Sequence, residues 1–251
     1  MIGLEGPDVP ERKPHVFVRT ARQIGDLYRE EWDAWRRHYR RYFKYAARAL
    51  GLGFAAGFLY FMLTPAQGQK ATAFVIKSLK DIAPLQGSRF AVAVALFYHN
   101  ARVSVLAGLT GAVPFLFLPI LDPLLNGAAL GLLCSVFKHQ GLNVPLLIAT
   151  KILPHGVFEL PALLYGTSVA LYLSAAMGRR AAAAWRSRKS RRRGQPPAVV
   201  GTEGFLEAYA AKPEEADENL AGNVIRAFVL VVLPLLLVAA FVESYITPLL
   251  G

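Results

Sequence analysis

Runs of predominantly apolar residues recur along this chain, several of them close to the roughly 20 residues an α-helix needs to cross a hydrocarbon layer about 30 Å thick. They fall within residues 45–64, 90–118, 124–136, 144–177 and 224–245. In hydrocarbon no water reaches backbone N–H and C=O groups, so only helices and closed barrels satisfy them. With 251 residues, 54% of them hydrophobic, and a mean hydropathy of +0.35, one bundle accounts for the whole length. The expected fold is all-α: a polytopic membrane helical bundle with about five transmembrane spans. Its expected parts are a cytoplasmic tail and amphipathic helix over 1–44, four spans over 45–177, a cytoplasmic basic and acidic linker over 178–223, and a fifth span with its outer end over 224–251.

The net charge of +11 raises nucleic acid as a partner, but the basic residues crowd against the ends of apolar runs. Lys and Arg flank spans on the cytoplasmic side, so membrane orientation explains them and no nucleic acid is expected. Two clusters are dense: 36–48, and 179–193 with eight Lys and Arg and no acid. Both should be cytoplasmic, which requires an even number of crossings between them, and four fit. The amino terminus is then inside and the carboxyl terminus outside, in a multi-pass protein of the plasma membrane. Cys134 is the only cysteine, so no intramolecular disulfide forms. The polar first 45 residues resemble no removed signal peptide.

Along the chain, three prolines among charges predict an extended or disordered segment over 1–15. Ile24, Tyr28, Trp35, Tyr39 and Tyr42 then recur on one helix face, which predicts an amphipathic helix lying in the headgroup layer with Trp32 and Trp35 as anchors. Gly51, Gly53 and Gly57 offer close helix contact in the first span, which Pro65 ends. Phe74, Val75, Leu79 and Ile82 suggest a surface helix within 66–88. Gly127 and Gly131 form a small-residue pair suited to tight packing in the third span.

The fourth apolar run carries Lys151, His155 and Glu159 at four-residue steps, interrupted by Pro154 and Pro161. Two prolines predict a helix kinked or broken there. A charge at bilayer depth costs about 3 kcal/mol on insertion scales, so such groups face a protein interior or a wet cavity. His155 and Glu159 lie one helical turn apart and can meet. Their depth, 11 and 15 residues past Val144, is about 17 to 23 Å at 1.5 Å per residue. Glu243 and Asn100 are candidates to complete an intramembrane polar site with them, and His99 and Asn126 are further candidates. Such a pair can bind Zn²⁺ or relay a proton, but a hydrogen-bonded pair that fixes the helix is the favoured expectation, because no third strong ligand is evident. Lys151 and Arg102 read as ion-paired or snorkelling groups. The chain has no His-Glu-x-x-His, no Gly-x-Ser-x-Gly and no phosphate loop, and Ser104, Ser135, Ser168 and Ser174 sit at helix-like positions without an associated base. No enzyme activity, no cofactor and no bound metal are expected.

Three passages together, FYHNARVSVLAGLTGAVPFLFLPILDPLLNGAALG, LPHGVFELPALL and AAFVESYITPLL, resemble the stage II sporulation protein M family of bacterial and archaeal membrane proteins. The likeness covers 95–177 and 224–249. Its motif positions here are His99, Asn100, Asn126, Gly127, Pro154, His155, Gly156, Glu159, Pro161, Ala162, Glu243, Thr247 and Pro248. The resemblance implies a five-span protein of the cytoplasmic membrane. It also implies a role similar to that of a scaffold for the peptidoglycan hydrolases called stage II sporulation proteins D and P during engulfment. Read from the residues themselves, Gly127, Gly131, Pro154, Gly156, Pro161 and Pro248 are the expected helix-packing and kink positions. The expected partners are the lipid bilayer and peptidoglycan hydrolases or other cell-envelope proteins, with a homodimer left open. The alternative is a transporter or permease-like protein whose polar site lines a pathway.

The orientation carries its own test. Reporter fusions after Gly194 and after Gly251 are expected to label opposite sides of the membrane, and the same side for both would remove the fifth crossing.

Overall fold

A computed structural model of the chain describes residues 16–82, 88–114, 117–192 and 219–250. The expectations for residues 1–15 and for the acidic half of the linker, 203–218, lie outside the described residues. Among the described residues the regular structure is entirely helical. The α-helices are α1 (Val16–Ala34), α2 (Arg40–Leu63), α3 (Pro65–Ile82), α4 (Arg89–Thr110), α5 (Leu121–His139), α6 (Val144–Leu147), α7 (Leu153–Arg192), α8 (Leu220–Ala227) and α9 (Leu233–Phe241). All but α3, joined where needed through short π-helical or 3-10 turns, make up five helices long and apolar enough to cross a membrane: Arg22–Leu63, Arg89–Thr110, Leu118–His139, Val144–Trp185 and Leu220–Leu250.

Three of the prolines inside these spans are handled in the same way. A π-helical turn at Ile148–Ile152 precedes Pro154, one at Phe228–Val232 precedes Pro234, and one at Val242–Ile246 precedes Pro248. In each, the residue just before the proline donates its N–H five residues back: Leu153 to Ile148, Leu233 to Phe228, Thr247 to Val242. A proline lacks the N–H of the ladder and its ring presses on the carbonyl four residues earlier. One widened turn absorbs both defects without unwinding the helix. The fourth span is therefore continuous through Pro154 and Pro161, not broken there, and α7 carries Pro161 in its interior.

Two boundaries differ from the sequence reading. A π-helical turn at Trp35–Tyr39 joins α1 to α2, so the amphipathic segment runs into the first span without a break in the helix. Of the two tryptophans, Trp32 is exposed while Trp35 stacks on Tyr165, ring centres 5.3 Å and planes 15° apart. α7 likewise continues to Arg192, so the first part of the 178–223 linker is helical. At 1.5 Å per residue its 40 residues extend about 60 Å, roughly twice the hydrocarbon thickness.

Where α1 and α7 overlap, the chain builds its most buried core, with Tyr39, Tyr165, Val169, Tyr172, Phe228, Val232 and Leu236 at its centre. Glu31, only 2% exposed, is embedded in this region. It accepts hydrogen bonds from the Tyr165 hydroxyl at 2.5 Å and from Arg226 Nε at 2.9 Å, while Arg226 Nη1 reaches Glu30 at 2.8 Å. Residues from three distant parts of the chain are tied here. The Arg179 guanidinium lies 6.0 Å from the centre of the Tyr172 ring, itself 6.3 Å from Tyr42. Both arginine clusters thus occupy one end of the bundle, as an even number of crossings between them requires.

α2 and α5 form the most extensive helix pair. A Cβ at Gly53 would collide with the carbonyl of Leu124, at Gly57 with that of Ala128, at Gly127 with that of Leu50, and at Gly131 with that of Phe54. Each helix lays backbone directly on the other's backbone, which dispersion favours where the hydrophobic effect supplies no drive between helices. Gly51 differs from the expectation, since a Cβ there meets nothing within 4 Å. Gly156 also is not a close-contact position; its nearest neighbour is Ile152 Cγ2 at 3.8 Å. Gly127→Leu is expected to lower stability in detergent by at least about 2 kcal/mol, whereas Gly51→Leu stays within about 0.5 kcal/mol. Thermal unfolding of the two purified variants checks the contrast.

Candidate functional site

The polar group of the fourth span is drawn together from three helices. His155 stands on the first turn of α7, immediately after Pro154, and Glu159 follows one turn later. Glu243 belongs to the π-helical turn Val242–Ile246 of the last span. The last span runs back along α7, and its terminal residues, Thr247–Leu250, meet the turn Ile148–Ile152. One ligand atom from each of His155, Glu159 and Glu243 lies within 4.8 Å of the others, and all three residues are half-buried. Asn100, on α4, donates from Nδ2 to Glu159 Oε1 at 3.2 Å. Glu243 lies within a widened turn and His155 three residues after one, and such turns are frequent at functional sites.

This arrangement can hold a proton or a cation. Two carboxylates in a medium of low permittivity repel unless something positive comes between them. The buried Nδ1 of His155 has no hydrogen-bond partner among the described residues. An unsatisfied buried polar atom costs about 1–3 kcal/mol, so this nitrogen is poised for a further partner.

The remaining sequence candidates fall elsewhere. His99 is half-buried beside Asn100 and does not join the group of ligand atoms. Asn126 is not part of the site: it is exposed on α5, and its Nδ2 donates within its own helix to the Asp122 carbonyl at 2.9 Å and carboxylate at 3.0 Å. Its neighbour Gly127 carries the packing role instead. Lys151 is half-buried in the turn before Pro154, and Arg102 is exposed. The third ligand missing from the reading of the fourth span alone is Glu243, which the fold delivers.

Sequence reasoning missed the Glu31, Tyr165 and Arg226 junction. Glu31 reads as one charge among many on an amphipathic helix. The single signal was Arg226, a lone cation just inside the most apolar run of the chain.

A model of the family described as stage II sporulation protein M matches residues 46–248. The match covers most of the chain and fills the gap between the two stretches that carried the resemblance, so the protein belongs to that family. No curated protein and no solved structure matches the chain.

If Asn100 secures the cluster, Asn100→Leu is expected to lower stability in detergent by about 0.5–2 kcal/mol. Asn126→Ala, which removes only a contact within one helix, is expected to change it by less than about 0.5 kcal/mol. Equal stabilities of the two variants would detach Asn100 from the site.

Proposed function

We propose that this member of the stage II sporulation protein M family is a scaffold in the cytoplasmic membrane that anchors peptidoglycan-remodelling or other cell-envelope partners. In this reading it performs no covalent chemistry of its own, its amino terminus is inside and its carboxyl terminus outside. The observation that carries the reading is the placement of α3. This 18-residue helix follows α2 directly, at the end of the bundle away from the arginine clusters, and packs on α5 with Gly68 against Val136. Its first turns, from Pro65 to Lys70, are exposed apart from Gly68. With the arginines inside, α3 faces the envelope and offers a rigid docking element on the side where wall hydrolases work. Backbone-on-backbone packing of α2 and α5 supports the same reading, because it makes the base of α3 stiff.

A second reading, a transporter or permease-like protein, is favoured by one observation, the convergence of His155, Glu159, Glu243 and Asn100. Two measurements separate the readings. Pull-down from native membranes followed by mass spectrometry is expected to enrich wall hydrolases or other envelope proteins, and replacing residues 66–82 by a Gly/Ser linker of equal length is expected to lose them. Purified protein in liposomes is expected to pass protons and ions no faster than the double variant His155→Ala, Glu159→Gln. Flux that disappears in the double variant would assign the protein to transport.

A further inference from the structure

We infer that His155, Glu159 and Glu243 form a binding site for one divalent transition-metal ion within the membrane-spanning bundle. The inference is independent of the scaffold reading. Three residues from two helices bring one imidazole and two carboxylates within 4.8 Å of one another. In a tetrahedral site with metal–ligand distances near 2.0–2.1 Å, neighbouring ligand atoms stand about 3.3 Å apart. Closing from 4.8 Å to that spacing takes about 1.5 Å of movement, which side-chain rotation supplies without shifting a helix.

The donor set narrows the ion. All-oxygen cages suit Ca²⁺ and Mg²⁺, and thiolates suit Cu⁺, whereas one imidazole with two carboxylates suits Zn²⁺, Fe²⁺ or Mn²⁺. Three protein ligands leave a fourth position open for water or a partner's group, the pattern of non-structural sites. Charge argues the same way. Two carboxylates and an imidazole bind a divalent ion with no net charge left in the apolar surroundings, so the ion converts mutual repulsion into attraction.

The surroundings resemble those of a ligand set. Ligating carboxylates are commonly held by a second hydrogen bond, and Asn100 Nδ2 supplies one to Glu159 Oε1 at 3.2 Å. The buried Nδ1 of His155, without a hydrogen-bond partner among the described residues, is an imidazole nitrogen not committed to another donor. His155 follows the π-helical turn Ile148–Ile152, and Glu243 lies within that of Val242–Ile246. Such turns recur at functional sites because they redirect side chains that a regular helix would space apart.

The test uses the full chain, purified in detergent without a polyhistidine tag. The protein is stripped with chelator, incubated separately with Zn²⁺, Mn²⁺ and Fe²⁺ (the last under anaerobic conditions), desalted, and analysed for metal. About one ion per chain is expected for at least one of the three, together with a rise in the unfolding temperature. His155→Ala, Glu159→Gln and Glu243→Gln are each expected to fall below about 0.1 ion per chain while eluting at the wild-type position. Asn100→Ala is expected to keep the ion with affinity reduced about 10–100-fold. Wild-type protein that retains fewer than about 0.1 ion per chain with all three metals overturns the site, and this outcome does not depend on any variant folding. Full occupancy that persists in the three ligand variants overturns it as well, by placing the metal elsewhere.

Discussion

A helix in hydrocarbon has no solvent to complete a broken hydrogen-bond ladder, and this constraint governs the irregular parts of the protein. Pro154 and Pro234 each remove a donor inside a span, and Pro248 removes one at the end of the last span. The chain answers each with a five-residue π-helical turn ending two residues before the proline. The widened turn keeps the preceding N–H paired and gives the ring room. The interruption that the sequence suggests at Pro154 is therefore a register shift in a continuous helix, and the same device recurs at Pro234 and Pro248. Two of those shifts also place His155 and Glu243, so the device that tolerates proline helps create the polar cluster.

The same lack of solvent decides how the helices hold together. Lipid tails are as apolar as leucine, so burial of apolar surface contributes little between spans, and close packing must do more. α2 and α5 achieve it with Gly53 and Gly57 on one side and Gly127 and Gly131 on the other. Elsewhere small residues serve different neighbours. Gly111 admits the backbone of Ala170, and Gly108 admits the ring of Phe228. These contacts bring α4, α7 and the last span together about two to three helical turns along from the level at which Asn100 meets Glu159.

Span number, span order and the gathering of the arginine clusters at one end were legible in the sequence, because length and charge at the ends of apolar runs act directly on membrane helices. Helix continuity was not. Charges at 19–44 and 179–192 and the prolines in the fourth span resemble boundaries, yet π-helical turns at Trp35–Tyr39 and Ile148–Ile152 carry the first and fourth spans on, and α7 runs to Arg192. The polar site was half legible. His155 and Glu159 announce themselves by four-residue spacing inside an apolar run, and the family motif adds Asn100 and Glu243, but no local pattern could say that the last two reach the first two. Asn126 differs: the helix-packing contact expected of the Asn-Gly pair is made by the glycine on α2, while the Asn126 amide, a polar-site candidate, stays on Asp122 of its own helix. Gly156, though beside His155, is not held by any close neighbour, and Gly51 differs from Gly53 only in facing away from α5.

Among the described residues two assemblies of charge are withdrawn from the surface, and their compositions differ in a way that matters. At the arginine end, Glu31 is matched by Arg226 at 2.9 Å and by the Tyr165 hydroxyl at 2.5 Å, while Glu30 takes the other arm of the guanidinium. That junction is complete within the chain: an always-charged, fork-shaped donor meets two carboxylates, and a phenol fills a remaining acceptor site. Breaking such a buried pair by removing one partner costs about 3–5 kcal/mol, which suits a joint that must hold α1, α7 and the last span in fixed register. The His155, Glu159 and Glu243 group has a different make-up. Its Glu159 carboxylate accepts a hydrogen bond from the neutral amide of Asn100, and its imidazole keeps a buried nitrogen without a hydrogen bond among the described residues. A joint needs every valence satisfied from within, whereas a site keeps one for what comes from outside. The contrast between these two assemblies, built partly on the same two spans, distinguishes the structural charge cluster from the one that is shaped to bind.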